Sequence, residues 1–134
     1  MPMDSKDKQK QISKNKTFGQ SFRFAMTGIK TAYIEEKNMK KHGIFGMLAI
    51  LLGFILQITI SEWLWILFCI FFVITLEIVN TSFENIVDLV TENQFHPIAK
   101  KVKDMAAGAV LTASVFSCVV ASIIFIPKIL PIIK

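Results

Sequence analysis

Residues 63–90, WLWILFCIFFVITLEIVNTSFENIVDLV, form an apolar run whose second half carries a regular series of polar side chains. These side chains are Glu77, Asn80, Glu84 and Asp88, at spacings of three, four and four residues. At about 100° per residue, the four fall within about 80° of one another on a helix. The run therefore predicts one membrane-compatible helix with a polar stripe, these four residues, along one side.

The polar stripe is the main indication of chemistry in this chain. Charge in or near a bilayer is costly, so such a stripe is expected to face protein, water or a bound cation. Carboxylate oxygens are the ligands that Mg²⁺ prefers, and Mg²⁺ commonly accompanies phosphate. Glu77, the deepest acid, could take a proton from a lipid hydroxyl at the interface. The alternative is a structural acid that is hydrogen-bonded between helices.

Composition indicates a helical integral membrane protein. The chain has 134 residues, of which 53% are hydrophobic, and a mean hydropathy of +0.54. The length suits one domain, and the apolar content is too high for an ordinary small soluble domain. The sequence contains no P-loop, GxGxxG, HExxH or CxxC motif. Nucleotide binding through a common soluble fold is therefore excluded.

The chain before the first apolar run divides into two segments. Residues 1–16 are polar and basic, and we expect them to be disordered. Residues 17–41 are predicted to form an amphipathic helix on an anionic membrane surface. A soluble helix packed on a core is the alternative. The apolar residues that recur there at helical spacing are Phe18, Phe22, Met26, Ile29 and Tyr33.

Three apolar runs predict membrane spans at about 44–60, 63–90 and 98–126. With the surface helix they would form one membrane domain, residues 17–134. We expect Ser61-Glu62 to connect the first two spans. The prolines at positions 127 and 131 are expected to end the third span.

The distribution of positive charge predicts the orientation of these spans. Ten of the fifteen Lys and Arg residues lie at or before Lys41, and none lies in the first connection. The second connection carries Lys100, Lys101 and Lys103. The positive-inside rule then places the N-terminus and second connection in the cytoplasm, and the C-terminus outside the plasma membrane. The polar stripe would run toward the cytoplasmic surface, where nucleotides are available.

A second polar cluster opens the third span and consists of His96, Lys100, Lys101, Lys103 and Asp104. Lysine is a point-charge partner for phosphate, and Asp104 could orient Lys103 or join a cation site. Membrane anchoring is the alternative for the lysines, and helix capping for His96. Three carboxylates on one helix do not surround a metal, so an acid from another element is needed. Glu36, at the end of the surface segment, is predicted to lie at the right depth.

The strings EIVNTSFENIVD (77–88) and HPIAKKVKDMAAGA (96–109) closely resemble the prokaryotic diacylglycerol kinase family. The resemblance covers essentially all of the chain after Thr17. It is nearest to the Gram-positive branch, in which the preferred lipid is undecaprenol. Members of the family are homotrimers with active sites shared between neighbouring subunits, so the resemblance implies a homotrimer of three-span subunits.

The resemblance also implies roles for individual residues. Glu77 falls on the catalytic base, which also contacts the lipid. Glu36 and Glu84 fall on metal carboxylates. Arg23 and Lys30 are assigned to the lipid substrate. The residues that fall on nucleotide-binding positions are Asn80, Glu84, Asp88, His96, Lys103 and Asp104.

The function predicted from the sequence is ATP- and Mg²⁺-dependent phosphorylation of a membrane lipid alcohol, with undecaprenol as the expected substrate. A diacylglycerol kinase is the alternative within the same reaction type. An ion or proton transporter is the alternative from another class, because intramembrane acids often serve there.

Overall fold

The computed structural model describes residues 17–133, and all the regular structure in that range is helical. The helices are Phe18–Glu35 (α1), Lys37–Ile55 (α2), Ile60–Thr91 (α3) and Pro97–Ile133 (α4). The predicted all-helical class is therefore confirmed. The expectation of disorder for residues 1–16 lies outside the described residues.

The contacts divide the chain into two compact units, Met1–Thr31 and Ala32–Lys134. The described part of the first unit is most of α1. There the guanidinium carbon of Arg23 lies 5.6 Å from the centroid of the Phe24 ring. The second unit contains α2, α3 and α4, and all the contacts described below lie within it.

The surface segment predicted over residues 17–41 is interrupted at Glu36. This residue has an extended backbone (φ −97°, ψ 117°), and its Oε1 accepts a hydrogen bond from the Asn38 amide at 3.0 Å. Such a side-chain cap satisfies an amide that has no partner inside the helix. Glu36 therefore starts α2, which runs without a break from the basic segment into the first apolar run.

The connection between α2 and α3 lies earlier than predicted. It comprises residues 56–59, and Ser61 and Glu62 belong to the first turn of α3. Thr59 and Glu62 form a capping box, with Thr59 N to Glu62 Oε2 at 2.7 Å and Glu62 N to Thr59 Oγ1 at 3.3 Å. This reciprocal cap fixes the start of the helix at Ile60 and corrects the predicted Ser61-Glu62 connection.

The two prolines near the C-terminus do not end α4. Pro127 and Pro131 both lie inside the helix, which continues to Ile133. Each proline removes one backbone hydrogen bond. The surrounding sequence is apolar, however, and in an apolar environment the backbone must satisfy its remaining groups internally. The helix therefore continues beyond the predicted limit at residue 126.

Helices α3 and α4 pair along their lengths, and α2 packs on α3. A buried cluster joins Ile58 and Ile66 to Ile124 and Phe125. This cluster lies at the start of α3, eleven residues from Glu77, which is about 16 Å along the helix. The apolar core and the polar stripe therefore occupy opposite ends of α3.

Two glycines of α2 allow its close approach to α3. A Cβ at Gly46 would lie 3.2 Å from Ile70 Cγ2, and one at Gly53 would lie 2.8 Å from Trp63 Cη2. The second distance is too short for carbon atoms in contact, and the atoms involved belong to a rigid ring. The contact at Gly53 therefore requires a residue without a side chain.

Replacing Gly53 with Ala is expected to lower stability by about 1–3 kcal/mol, because the Trp63 ring must move to admit the methyl group. Thermal unfolding in detergent measures this as a lower midpoint. Gly28→Ala is the matched control, since no described atom lies within 4 Å of its Cβ position. An unchanged midpoint for Gly53→Ala would contradict this expectation, because it would show that the methyl group is admitted beside the Trp63 ring without loss of stability.

Helices α3 and α4 are each long and apolar enough to cross a membrane, by length and composition. Large apolar side chains are also exposed along the helices, such as Phe54 at 69%, Phe71 at 67% and Leu111 at 65%. Exposed apolar surface on this scale indicates a lipid or protein neighbour. The fold is therefore that of a membrane protein.

Candidate functional site

The polar stripe faces the interior of the protein. Glu77 and Asn80 are only 2% and 6% exposed, and Glu84 and Asp88 are half-buried. The apolar residues on the other side of the same turns are exposed: Val79, Phe83, Ile86, Leu89 and Val90. A water-soluble helix shows the reverse arrangement. This half of α3 thus turns its polar side inward and its apolar side outward, as a membrane helix with a functional interior does.

Glu77 occupies a position that helical spacing assigns to the core. Five of the six buried residues of α3 recur at spacings of three or four, namely Ile66, Cys69, Val73, Glu77 and Asn80, and the sixth is Thr81. An apolar residue at position 77 would continue this stripe without any desolvation cost. A carboxylate at such a position is costly unless it has a partner, which indicates a role beyond packing.

The partner of Glu77 is His42 of α2, with Nε2 and Oε1 3.0 Å apart. The carboxylates of Glu36 and Glu84 lie near that of Glu77. The site therefore brings together acids from the α1–α2 junction and from α3. Sequence reasoning assigned no role to His42.

Helical spacing could have found His42. The buried residues of α2 are Met39, Gly46 and Gly53, seven residues apart. His42 lies three residues after the first and four before the second, so it shares their face. The pairing with a residue thirty-five positions later is a tertiary contact that no local pattern predicts.

Asn80 and Glu84 form the next layer of the site. Asn80 Nδ2 donates to Glu84 Oε1 at 3.2 Å. Asn80 Oδ1 is buried, and the described residues supply it with no hydrogen-bond partner. A buried amide oxygen without a donor is uncommon in native proteins. The described residues therefore leave the polar interior around Asn80 incompletely satisfied.

The carboxylate oxygens of Glu36 and Glu84 are donors of the kind that a hard cation prefers. Glu36 and Glu84 each accept a hydrogen bond at Oε1, and within residues 17–133 no hydrogen bond occupies Oε2 of either residue. Oxygen donors of this kind suit Mg²⁺, which completes its shell with water and phosphate. Among residues 17–133, no three His, Cys, Asp or Glu side chains are arranged as a complete metal site. A cation here would accordingly depend on ligands that the chain alone does not supply.

Asp88 and Lys103 form an ion pair that ties α3 to α4. Lys103 Nζ lies 2.6 Å from Asp88 Oδ1, and both side chains are about one third exposed. Asp104, which sequence analysis placed beside Lys103, instead pairs with Lys100 one turn earlier on an exposed face. Lys103 is thus the lysine that the structure connects to the polar stripe.

His96 caps the start of α4, where its Nδ1 accepts a hydrogen bond from the Ile98 amide at 3.2 Å. It also lines a groove of about 450 Å³ between the end of α3 and the start of α4. The other lining residues are mostly apolar, including Val87 and Phe95. The structure therefore gives His96 a structural contact and leaves its predicted nucleotide role as a prediction.

Two further polar residues lie near the junction of α1 and α2. Asn85 Nδ2 donates to Glu35 Oε2 at 3.3 Å, which holds the end of α1 against α3.

Arg23 and Lys30, predicted to contact the lipid, belong to the first compact unit. Their role stays a prediction.

Comparison with known proteins identifies the class to which this fold and site belong. The family model for prokaryotic diacylglycerol kinase matches residues 23–125, a segment that contains every predicted site residue. The chain therefore belongs to the prokaryotic diacylglycerol kinase family. It is accordingly a membrane lipid kinase, an enzyme that takes a phosphoryl group from a nucleotide.

Individual relatives divide into two groups by name. The chain is 38% identical to the undecaprenol kinase of Bacillus subtilis over 126 residues, covering 94% of this chain and 99% of that protein. It is 32% identical to a diacylglycerol kinase of Synechocystis, covering 82% of this chain and 63% of that protein. For a diacylglycerol kinase of Helicobacter pylori the identity is 36%, with 69% and 72% covered.

Proposed function

We propose that this protein phosphorylates undecaprenol, using ATP and Mg²⁺. The observation that carries this proposal is the 38% identity to an undecaprenol kinase along almost the full length of both chains. The named diacylglycerol kinases cover less of this chain, so diacylglycerol is the second candidate substrate. Family membership argues against an ion or proton transporter.

In the proposed reaction, the lipid hydroxyl oxygen attacks the γ-phosphorus of ATP in line, the bond from that phosphorus to the β,γ-bridging oxygen breaks, and ADP leaves. Glu77 accepts the hydroxyl proton, because it is the deepest carboxylate and is held inside the helix bundle. Asp88 positions Lys103 against the nucleotide phosphates through their 2.6 Å ion pair. Asn80, His96 and Asp104 complete the proposed nucleotide site.

Glu36 and Glu84 are the proposed ligands of Mg²⁺. When bound, the ion neutralises negative charge on the phosphates, which is the main requirement of phosphoryl transfer. The support is that both carboxylates lie near Glu77 and that Oε2 of each accepts no hydrogen bond within residues 17–133. Arg23 and Lys30 are the proposed contacts to the lipid headgroup.

We further propose that residues 17–134 form one membrane domain with three spans, α2 to α4, in the plasma membrane. The basic segment before Lys41 supports a cytoplasmic N-terminus and an external C-terminus. A homotrimer is proposed, because the large exposed apolar surface calls for a protein neighbour. A neighbouring subunit would also complete the metal and nucleotide ligands.

A substrate panel tests the proposed function. Purified protein in detergent receives γ-labelled ATP, Mg²⁺ and one lipid: undecaprenol, diacylglycerol or none. We expect label in undecaprenyl phosphate with a kcat/KM at least about tenfold above that for diacylglycerol, a gap of about 1.4 kcal/mol. A preference for diacylglycerol would replace the proposed substrate and leave the enzyme class unchanged.

The small residues Ala106–Ala109 of α4 are predicted to lie at a close helix contact. No atom of the described chain lies within 4 Å of a Cβ at Gly108, so the contact would be between subunits. Gly108→Leu is then expected to weaken the oligomer and leave the subunit helical. Light scattering after size exclusion in detergent measures this, with Gly19→Leu, also free of neighbours within 4 Å, as control. Unchanged oligomer mass would place the patch against lipid.

A further inference from the structure

His42 contacts the proposed base and has no role among the residues discussed above. Its side chain is 24% exposed, whereas the Glu77 side chain is 2% exposed. The 3.0 Å contact between Nε2 and Oε1 is a hydrogen bond across the α2–α3 interface. His42 therefore lies between a buried carboxylate and the more accessible side of the site.

The packing of α2 on α3 fixes the position of His42. Gly46 lies one helical turn away on the same face, and a Cβ placed on it would lie 3.2 Å from Cγ2 of Ile70 in α3. Met39, one turn in the other direction, is 3% exposed. Because the residues on both sides are packed, the imidazole has little freedom to leave Glu77. The contact is set by the fold and does not depend on a flexible surface side chain.

A buried carboxylate requires a partner, and among the described residues His42 is the one that Glu77 contacts. The carboxylates of Glu36 and Glu84, which lie near Glu77, cannot donate a hydrogen bond to it when they are ionised. A hydrogen bond to an ionised group is also stronger inside the protein than in water.

We propose that His42 is the positioning residue for the base, and this inference rests on the proposed role of Glu77. His42 donates from Nε2 to Glu77 Oε1 and holds the carboxylate in one orientation. The other oxygen, Oε2, then accepts the proton of the lipid hydroxyl. On this proposal the effect of His42 on the reaction passes through its contact with Glu77.

Two substitutions at position 42 separate positioning from packing. His42→Leu keeps apolar bulk and removes the donor, and kcat is expected to fall by about 100-fold, because small misplacements of a catalytic group have effects of that size. The KM for ATP should change by less than about twofold. His42→Gln retains an N–H donor and is expected to recover kcat to within about tenfold of the natural enzyme. Lys41→Gln, an exposed neighbour, is the control.

The assay uses undecaprenol or diacylglycerol, whichever the natural enzyme phosphorylates faster, so the substrate proposal does not affect the test. The double variant with Glu77→Gln gives a second readout, because a positioning residue has no effect once the base is gone. We expect the double variant to be as slow as Glu77→Gln alone. A further loss in the double variant, or full kcat in His42→Leu, would overturn the inference. Full kcat in Glu77→Gln would instead overturn the proposed base itself.

Discussion

Glu77→Gln is expected to reduce the maximal rate of phosphoryl transfer by about 10²- to 10⁴-fold, the usual contribution of a general base. The amide keeps the size of the carboxyl group and its Oε1 can still accept the bond from His42, which is 3.0 Å away. The substitution also removes a charge from a side chain that is 2% exposed, so the fold should not suffer. The lower rate would then reflect a slower phosphoryl-transfer step and not a damaged fold.

Nucleotide binding should separate Glu77 from the residues nearer the end of α3. Asp88 lies eleven residues later, about 16 Å along the helix, and pairs with Lys103. Asp88→Asn breaks this ion pair and is expected to weaken Mg·ATP binding, which equilibrium titration measures. Glu77→Gln should bind Mg·ATP almost as the natural enzyme does. Lost ATP binding with a normal maximal rate in Glu77→Gln would move Glu77 to the nucleotide site.

Glu84→Gln is expected to reduce activity by about 100-fold or more at ordinary Mg²⁺ concentrations, as the loss of one strong electrostatic stabiliser does. The glutamine oxygen can still accept the 3.2 Å hydrogen bond from Asn80, so the local structure should persist. Because the missing group is a proposed metal ligand, activity should recover partly at high Mg²⁺. The measurement is the Mg²⁺ dependence of the initial rate.

Glu36 needs two variants, because its carboxylate also caps α2. Glu36→Gln removes the charge, and Glu36→Ser retains a good cap while removing the charge. Both should raise the Mg²⁺ requirement. Glu92→Gln serves as the control, since Glu92 is an exposed carboxylate at the end of α3 with no role in the proposed site. Normal Mg²⁺ dependence in both Glu36 variants would remove Glu36 from the metal site.

The polar stripe could be predicted from sequence because helix geometry alone fixes which residues share a face. Glu77, Asn80, Glu84 and Asp88 needed no knowledge of other helices to be placed together. Their inward direction also followed from the cost of exposing charge to lipid. What the residues do is a separate matter, and their catalytic and ligand roles remain proposals that the variants above test.

Helix boundaries were harder to predict where a side chain acts as a cap. The Thr59–Glu62 capping box has a sequence signature, yet the short polar segment Ser61-Glu62 was interpreted as a loop. Glu36 interrupts an amphipathic pattern that continues on both sides of it. Pro127 and Pro131 were expected to end α4, but the helix continues through both. The rule that proline ends a helix holds for helices in water and overstates the effect of proline in an apolar helix.

Helical periodicity could not predict the individual contacts between helices. The His42–Glu77 bond and the Asp88–Lys103 pair join different helices. Periodicity places each residue on a face but does not say which face of which helix it meets. The pairing of Asp104 with Lys100 likewise depends on the choice between two nearby lysines.

Competition between the two candidate lipids tests the central claim most directly. Equal amounts of undecaprenol and diacylglycerol are mixed in one micelle preparation with γ-labelled ATP and Mg²⁺, and the labelled products are separated. Glu77→Gln supplies the blank. The account predicts that undecaprenyl phosphate carries most of the label and that the blank carries almost none. Label found mainly in phosphatidic acid, or equal labelling by Glu77→Gln, would contradict it.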